Sequence, residues 1–277
     1  MPMPQPLIDI GANLTHDSFA DDLQQILARA EAAGVTRMIV TGSSDQGNID
    51  AAELAAAHPG RLYATAGVHP HHAADYTTAS DELIRSLLRR DCVIAIGECG
   101  LDYFRNFSPR EAQLEAFRSQ LDIAADSGLP VFLHQRDAHD DFVDVLEPAL
   151  PKISRAVAHC FTGEGESLRE YLAMGLWIGI TGWICDERRG AHLQDIVAEI
   201  PDDRLLIETD APYLLPRSLS PKPKSRRNEP AHLVEVLRVV AAARDQSEQH
   251  VAEITTANAI EFFGLPPTAT TSVDQCS

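Results

Sequence analysis

Short apolar runs alternate with helical segments along nearly the whole chain, and this alternation restricts the fold more than any other feature. Eight runs have the length and composition of buried strands, and each is followed by a segment whose apolar residues recur at helical spacing. The predicted strands are Leu7–Gly11, Met38–Thr41, Leu62–Val68, Val93–Gly97, Val131–His134, Ala156–His159, Trp177–Ile180 and Leu205–Thr209.

Eight strand-then-helix units predict the α/β class and a (β/α)8 TIM barrel, with a doubly wound open sheet as the alternative. The single domain is expected to span residues 7–265, after an N-terminal extension at 1–6 and before a polar tail at 266–277 that we expect to be disordered. The best-marked helix follows the fourth strand, where Ser108, Pro109 and Glu111 predict an N-cap, a proline at the first position and a capping box. Gly128 would end that helix.

Polar side chains stand at the carboxyl ends of most predicted strands. Because these ends all face one cavity only in a closed barrel, their number favours the barrel over the open sheet. They are Asp9 and Asn13, His69, Glu98, His134, His159, and Glu208 with Asp210.

Glu98 is the residue that most needs an explanation, because it ends an apolar strand. Strand alternation predicts that it faces the same side as Ile94 and Ile96, where an ionised carboxylate is costly unless it is paired or bound to a metal. His134 and His159 end the next two strands in the same way. Together the three side chains can form a site for a divalent metal with open positions for water and substrate, and Asp210 would reach the same space.

The overall charge opposes any broad electrostatic attraction to nucleic acid or to an anionic membrane. Acidic residues number 41 against 23 basic ones, for a net charge of −18. The one basic stretch lies after the eighth strand and contains Arg217, Lys222, Lys224, Arg226 and Arg227. Its simplest interpretation is a solvated loop, and its alternative is a local contact with phosphate.

The cellular setting is expected to be the cytoplasm. No apolar run approaches the roughly 20 residues of a membrane span, and the first residues lack the layout of a signal peptide. Five cysteines without CxxC spacing indicate reduced thiols rather than a disulfide framework. We expect a monomer with no membrane partner.

Several motifs together resemble the TatD family of metal-dependent deoxyribonucleases, in particular its bacterial members. The resemblance runs from about Leu7 to Leu265. It implies a barrel of the metallo-dependent, amidohydrolase-like type, with Glu98, His134 and His159 as metal ligands and Asp210 beside the catalytic water. The motifs are DIGANLT from Asp9, AGVHPHH from Ala66, IGECGLDYFRNFS from Ile96, PVFLHQRDA from Pro130, AHCFTG from Ala158, IGITGWICDERRG from Ile178, IETDAPYLLP from Ile207 and RRNEP from Arg226.

The first strand departs from the wider family pattern. Many relatives carry an HxH pair there, whereas Gly11 and Asn13 occupy those positions here. Asn13 offers only a weak oxygen ligand, so we expect one firm metal site, with any second ion held by Glu98, Asp210 and substrate phosphate. The resemblance implies Mg²⁺, while two imidazoles also suit Mn²⁺, Zn²⁺ or iron.

The leading hypothesis is hydrolysis of DNA phosphodiester bonds by metal-activated water, with Asp210 as the proton acceptor. The resemblance implies a 3′ to 5′ exonuclease on single-stranded DNA ends, with RNA as a further substrate. The phosphate contacts are predicted at five basic side chains: His69, Arg105, Arg136, Arg226 and Arg227.

Other functions are compatible with such a barrel. A metallohydrolase acting on another ester or amide, such as aminoacyl-tRNA, is the main alternative, because the fold does not determine the substrate. A cyclic amidohydrolase is disfavoured by the missing HxH pair and by the lack of a lysine at the end of the fourth or fifth strand. A binding module without activity is disfavoured by the intact set of metal-binding residue types.

Overall fold

A computed structural model describes residues 6–267, and it confirms the predicted TIM barrel. Eight parallel strands form one sheet in sequential order, and a bridge between Ala12 and Ala211 joins its two edges. The amide of Asn13 also donates to the Ala211 carbonyl at 2.7 Å. The strands are β1 Leu7–Ala12, β2 Val35–Val40, β3 Leu62–Ala66, β4 Val93–Asp102, β5 Val131–Arg136, β6 Ala156–Ala158, β7 Trp177–Ile180 and β8 Leu205–Ile207.

Nine α-helices lie in the described part of the chain, residues 6–267. They are α1 Leu23–Ala32, α2 Asp45–Ala57, α3 Thr78–Leu87, α4 Arg110–Ser127, α5 His139–Leu146, α6 Gly165–Ala173, α7 Ala191–Ile196, α8 Leu233–Ala243 and α9 Glu248–Phe263. Short 3-10 helices lie at Asp17–Phe19, Pro70–Asp75, Leu150–Lys152, Gly182–Cys185, Val197–Glu199 and Pro230–His232. Over the same residues, no helix combines the length and the apolar character that crossing a membrane requires.

The start of α4 differs from its prediction. Pro109 is the N-cap, and the capping box of Ser108 with Glu111 is absent. Ser108 instead donates to the His71 carbonyl and accepts from the Ala74 amide, so it ties the loop after β3 to the loop after β4. The predicted end is confirmed, because Gly128 adopts the left-handed conformation with φ 71°.

The predicted tail falls mostly on residues 268–277, which lie outside the described residues, as do residues 1–5 of the predicted extension. Pro267 is described, and its carbonyl accepts from Arg37 at 3.2 Å.

Two apolar cores follow from strand alternation. One set of side chains faces the helices, whereas the other fills the barrel and includes Ile10, Phe132, Val157 and Leu206. Phe262, on α9, packs in the interior core and contacts Trp177 at the start of β7, so α9 covers the amino ends of the strands. The opposite, carboxyl end is left for polar side chains.

β4 is the strand that the sequence predicted least well. It extends five residues beyond Gly97, and its pairing with β5 shifts register between Ile96 and Cys99. Ile94 belongs to the interior core but Ile96 to the outer one, so the expectation that Glu98 shares a face with both is wrong. The irregularity interrupts the alternation, and Glu98 faces the barrel opening because of it.

We predict that Gly100→Ala destabilises the protein by about 3 kcal/mol or more. Gly100 has φ +139°, and a Cβ there would collide with the His134 carbonyl oxygen of the adjacent strand. Gly60→Ala is the matched control, since Gly60 also has a positive φ (+77°) but no atom within 4 Å of the added carbon. Urea unfolding measures both. An equal loss of unfolding free energy in both variants would show that the contact with the His134 carbonyl is not the reason why glycine is required at position 100.

Candidate active site

A single carboxylate oxygen, Glu98 Oε1, is the centre of the polar cluster at the barrel mouth. It lies 2.8 Å from His134 Nδ1, 2.9 Å from His159 Nε2 and 3.3 Å from His69 Nε2. Glu98, His159 and His69 are all buried. The structure therefore brings together the predicted set of Glu98, His134 and His159, and it adds His69, which had been expected only as a phosphate contact.

The donor set fits a divalent cation. His69, Glu98 and His134 each offer a ligand atom within 4.8 Å of the others, whereas the predicted ligand His159 is not part of this set. His134 Nε2 is buried without a hydrogen-bond partner, 3.4 Å from Asp102 Oδ2, so this nitrogen remains available on the cluster. Imidazole and carboxylate ligands suit several divalent metals.

Electrostatics within the cluster keep Glu98 ionised. Burial would raise its pKa, but the charges of His69 and His159 and hydrogen bonds from His134 and His159 hold that pKa well below its ordinary value. Burial lowers the pKa of His69 to about 4, although Glu98 opposes this effect.

Glu208 is a buried carboxylate of the site. It was predicted at the end of a strand, but no role was predicted for it. Its Oε2 lies 3.0 Å from His159 Nδ1, and its Oε1 accepts from the Cys160 amide at 2.5 Å. A carboxylate on the far nitrogen orients an imidazole and sets which nitrogen faces the cluster. The sequence held a signal, because the predicted strand places Glu208 on the same face as Asp210, two residues later.

The missing histidine of the first strand has a structural explanation. A Cβ at Gly11 would collide with Glu208 Oε2, and a Cβ at Gly179 would lie 2.5 Å from Glu208 Oε1. Two glycines therefore make the space that the Glu208 carboxylate fills. A larger residue at position 11 would require Glu208 to move.

Asp210 lies beside the cluster and is oriented by Asn13. Asn13 Nδ2 donates to Asp210 Oδ1 at 3.0 Å, and the Asp210 amide donates to the Gly11 carbonyl at 2.8 Å. Burial raises the pKa of Asp210 to about 7, with contributions from the negative charges of Glu98 and Glu208 and an opposing one from His159. Asp9 is not part of this cluster, since both of its carboxylate oxygens accept hydrogen bonds from Thr209.

A second carboxylate, Asp102, supports the other side of the cluster and was not anticipated. Its Oδ2 lies 2.9 Å from His71 Nε2, and its Oδ1 accepts from the Arg105 amide at 2.7 Å. It lies at the end of β4, five residues beyond Gly97, where the sequence predicted the strand to end.

The predicted phosphate-binding arginines lie in different environments. Arg105 and Arg226 are exposed, and Arg136 lies above the Phe104 ring at 4.0 Å. Arg227 is not free: its guanidinium pairs with Asp22 at 2.7 Å and joins the loop after β8 to the region before α1. Asp22 therefore neutralises one of the two charges expected from the RRNEP motif.

A (β/α)8 barrel whose strand ends bring histidines and carboxylates around one point defines a metallo-dependent hydrolase of the amidohydrolase-like type. The model of the family described as TatD related DNase matches residues 8–264. The chain belongs to this family, and it is a hydrolase of the nuclease type.

Individual relatives agree over nearly the full length. The chain is 50% identical over 260 residues to a protein of Erwinia billingiae named 3′-5′ ssDNA/RNA exonuclease TatD, covering 94% of this chain and 100% of the relative. It is 52% identical over 257 residues to the protein of that name from Dickeya dadantii, covering 93% and 97%. The crystal structure of a TatD homologue from Escherichia coli K12 is similar with a TM-score of 0.86 at 29% identity, covering 95% and 100%.

Proposed function

We propose that this protein is a metal-dependent 3′ to 5′ exonuclease that hydrolyses single-stranded DNA, and RNA as well. The observation that carries the proposal is the convergence of three imidazoles on Glu98 Oε1 with Asp210 beside them. The relatives named 3′-5′ ssDNA/RNA exonuclease support the choice of substrate. No feature of the described residues favours the ester or amide alternative.

Glu98, His134 and His159 are proposed to hold the metal, with His69 completing the set and Asp210 at its edge. A bound divalent cation would polarise a phosphoryl oxygen and lower the pKa of water. Mg²⁺ is the proposed ion, and the imidazole-rich set also suits Mn²⁺ or Zn²⁺. Glu208 holds the His159 ring so that Nε2 faces Glu98.

Asp210 is the proposed proton acceptor for the attacking water. It has the required position, beside the cluster, and one of its oxygens is oriented by Asn13. Glu98 is poorly suited to this role, because its Oε1 already has three imidazole neighbours. The two carboxylates thus have different tasks, one in binding and one in proton transfer.

The substrate is expected to bind locally, at the barrel mouth. A net charge of −18 repels a long duplex, whereas Arg105, Arg136 and Arg226 can neutralise a few phosphates near the cluster. Arg227 would contribute only if it left Asp22. These contacts favour the end of a strand over an internal bond.

The direct test uses single-stranded DNA labelled at either end, with Mg²⁺ or Mn²⁺ and with EDTA. We expect 3′-labelled DNA to release labelled mononucleotide at once and 5′-labelled DNA to shorten stepwise, with EDTA lowering the rate about 10³-fold or more. The Asp210→Asn protein, purified in parallel, controls for contaminating nucleases. Release that begins at the 5′ end, or that persists unchanged in EDTA, would contradict the proposal.

The catalytic domain is proposed to span residues 7–265, the protein to act as a monomer, and its location to be the cytoplasm. Size-exclusion chromatography with light scattering tests the second of these.

A further inference from the structure

We infer that the barrel mouth carries a subsite for the nucleotide on the 5′ side of the scissile phosphate, in which the Phe104 ring stacks on the base and Arg136 binds the phosphate of that nucleotide. The occupant is one base–phosphate unit of a single strand. This inference rests on the proposed function and specifies where its substrate lies.

The exposed large apolar side chains all lie at one end of the molecule. Within residues 6–267 they are Phe104, Phe107 and Tyr213, which are 53%, 68% and 51% exposed. Phe104 and Phe107 belong to the loop after β4, and Tyr213 to the loop after β8, so all three follow carboxyl ends of strands. Exposed apolar groups concentrated around a polar cluster mark a binding surface rather than a packing defect.

Arg136 links this surface to the catalytic cluster. It lies two residues after His134 on β5, so its side chain leaves the same face about 7 Å farther along the strand. Its guanidinium carbon lies 4.0 Å from the Phe104 ring centroid and 5.6 Å from that of Trp183. The guanidinium is therefore placed above the cluster.

Arg136 has no carboxylate partner in the part of the chain that the structure describes. Two arginines of neighbouring mouth loops do have such partners: Arg189 pairs with Asp186 at 3.1 Å, and Arg227 pairs with Asp22. In a chain with 41 acidic residues, an arginine held by aromatic rings keeps its donors for an external anion.

The surrounding contacts fix the geometry in advance. Trp183 Nε1 donates to the Arg189 carbonyl at 3.2 Å, and the Arg189 guanidinium lies 4.5 Å from the Trp183 ring centroid. The rings of Phe104 and Trp183 thus alternate with the guanidinium groups of Arg136 and Arg189. This row runs from the loop after β4 over the end of β5 to the loop after β7. We call this row the mouth ladder. Groups that are already ordered cost little entropy on binding.

The chemistry of the mouth ladder selects a single strand. A base can stack on Phe104 only if it has left its own duplex stack, and stacking on a ring tolerates any base. Arg136 supplies the phosphate contact at the same position. The ladder therefore accounts for a preference for single strands without any contact to base edges.

The test compares Phe104→Leu with Phe104→Trp on two substrates. For a single-stranded oligonucleotide, Phe104→Leu should lower kcat/KM about 10-fold or more, while Phe104→Trp should keep it within about twofold. For thymidine 5′-p-nitrophenyl phosphate, whose single base lies on the 3′ side of the scissile phosphate and so outside this subsite, both variants should match the unsubstituted protein. Equal loss on both substrates, or no loss on either, would overturn the subsite.

Binding provides a readout that does not need turnover. In EDTA, Phe104→Leu and Arg136→Gln should each weaken binding of a fluorescent single strand about 10-fold, by anisotropy. Arg204→Gln is the matched control, because Arg204 lies 5.1 Å from the Trp177 ring centroid at the opposite end of the barrel, and its affinity should not change. Unchanged affinity in both mouth variants would refute the inference. If both mouth variants weaken binding as expected but the unsubstituted protein shows no nuclease activity, the subsite is supported and the proposed function is refuted.

Discussion

Asp210→Asn is expected to reduce kcat for single-stranded DNA by about 10²–10⁴-fold, the range that a positioned general base supplies. The amide cannot accept a proton from water, yet it retains the size of the carboxylate and can still accept from Asn13. The effect should therefore fall on kcat, with little change in the folded structure. Single-turnover rates, the melting temperature and the affinity for DNA in EDTA separate these effects.

The chain offers a close control for this substitution. Asp137 follows β5 as Asp210 follows β8, and both have φ 53°, a conformation that asparagine tolerates well. Asp137 is exposed and makes no ion pair among the described residues. Asp137→Asn should keep kcat within about twofold. Full activity in Asp210→Asn would remove this residue from proton transfer.

The sequence was sufficient to predict the barrel and the residues that meet in it, for a physical reason. Strand alternation survives in β5 and β6, so Phe132 and Val157 face the interior, and His134 and His159 follow each of them by two residues. Hydrophobic periodicity reports such faces directly. In β4 the register shift breaks the same rule between Ile96 and Cys99.

The roles of the supporting carboxylates were harder to predict from the sequence, because these roles depend on distances between strands. Glu208 reaches His159 across the space left by Gly11 and Gly179, which belong to strands far apart in the sequence. Ser108 shows the same limit: its local pattern indicated a helix cap, but its hydroxyl bonds the loop of His71 and Ala74. Tertiary contacts decide between such alternatives, and no local pattern contains them.

Glu98→Gln is expected to have the second large effect, on metal binding. Among residues 6–267, this carboxylate is the one negative group within 3.3 Å of three imidazoles, and an amide supplies neither its charge nor its affinity for a divalent cation. We expect nuclease activity to fall about 10³-fold or more. Isothermal titration with Mn²⁺ should show at least about 100-fold weaker binding.

Thermal stability distinguishes loss of the ligand from loss of the fold. A metal present at about 100 times its Kd should raise the melting temperature of the unsubstituted protein by about 5 °C, because it binds the folded state alone. Glu98→Gln should remove this increase while its circular dichroism stays native. Glu170→Gln is the matched control, since Glu170 pairs with His139 at 2.8 Å outside the cluster and should retain the full increase. An undiminished increase in Glu98→Gln would mean that the cation is held elsewhere, and that the three imidazoles converge on Glu98 for structural reasons alone.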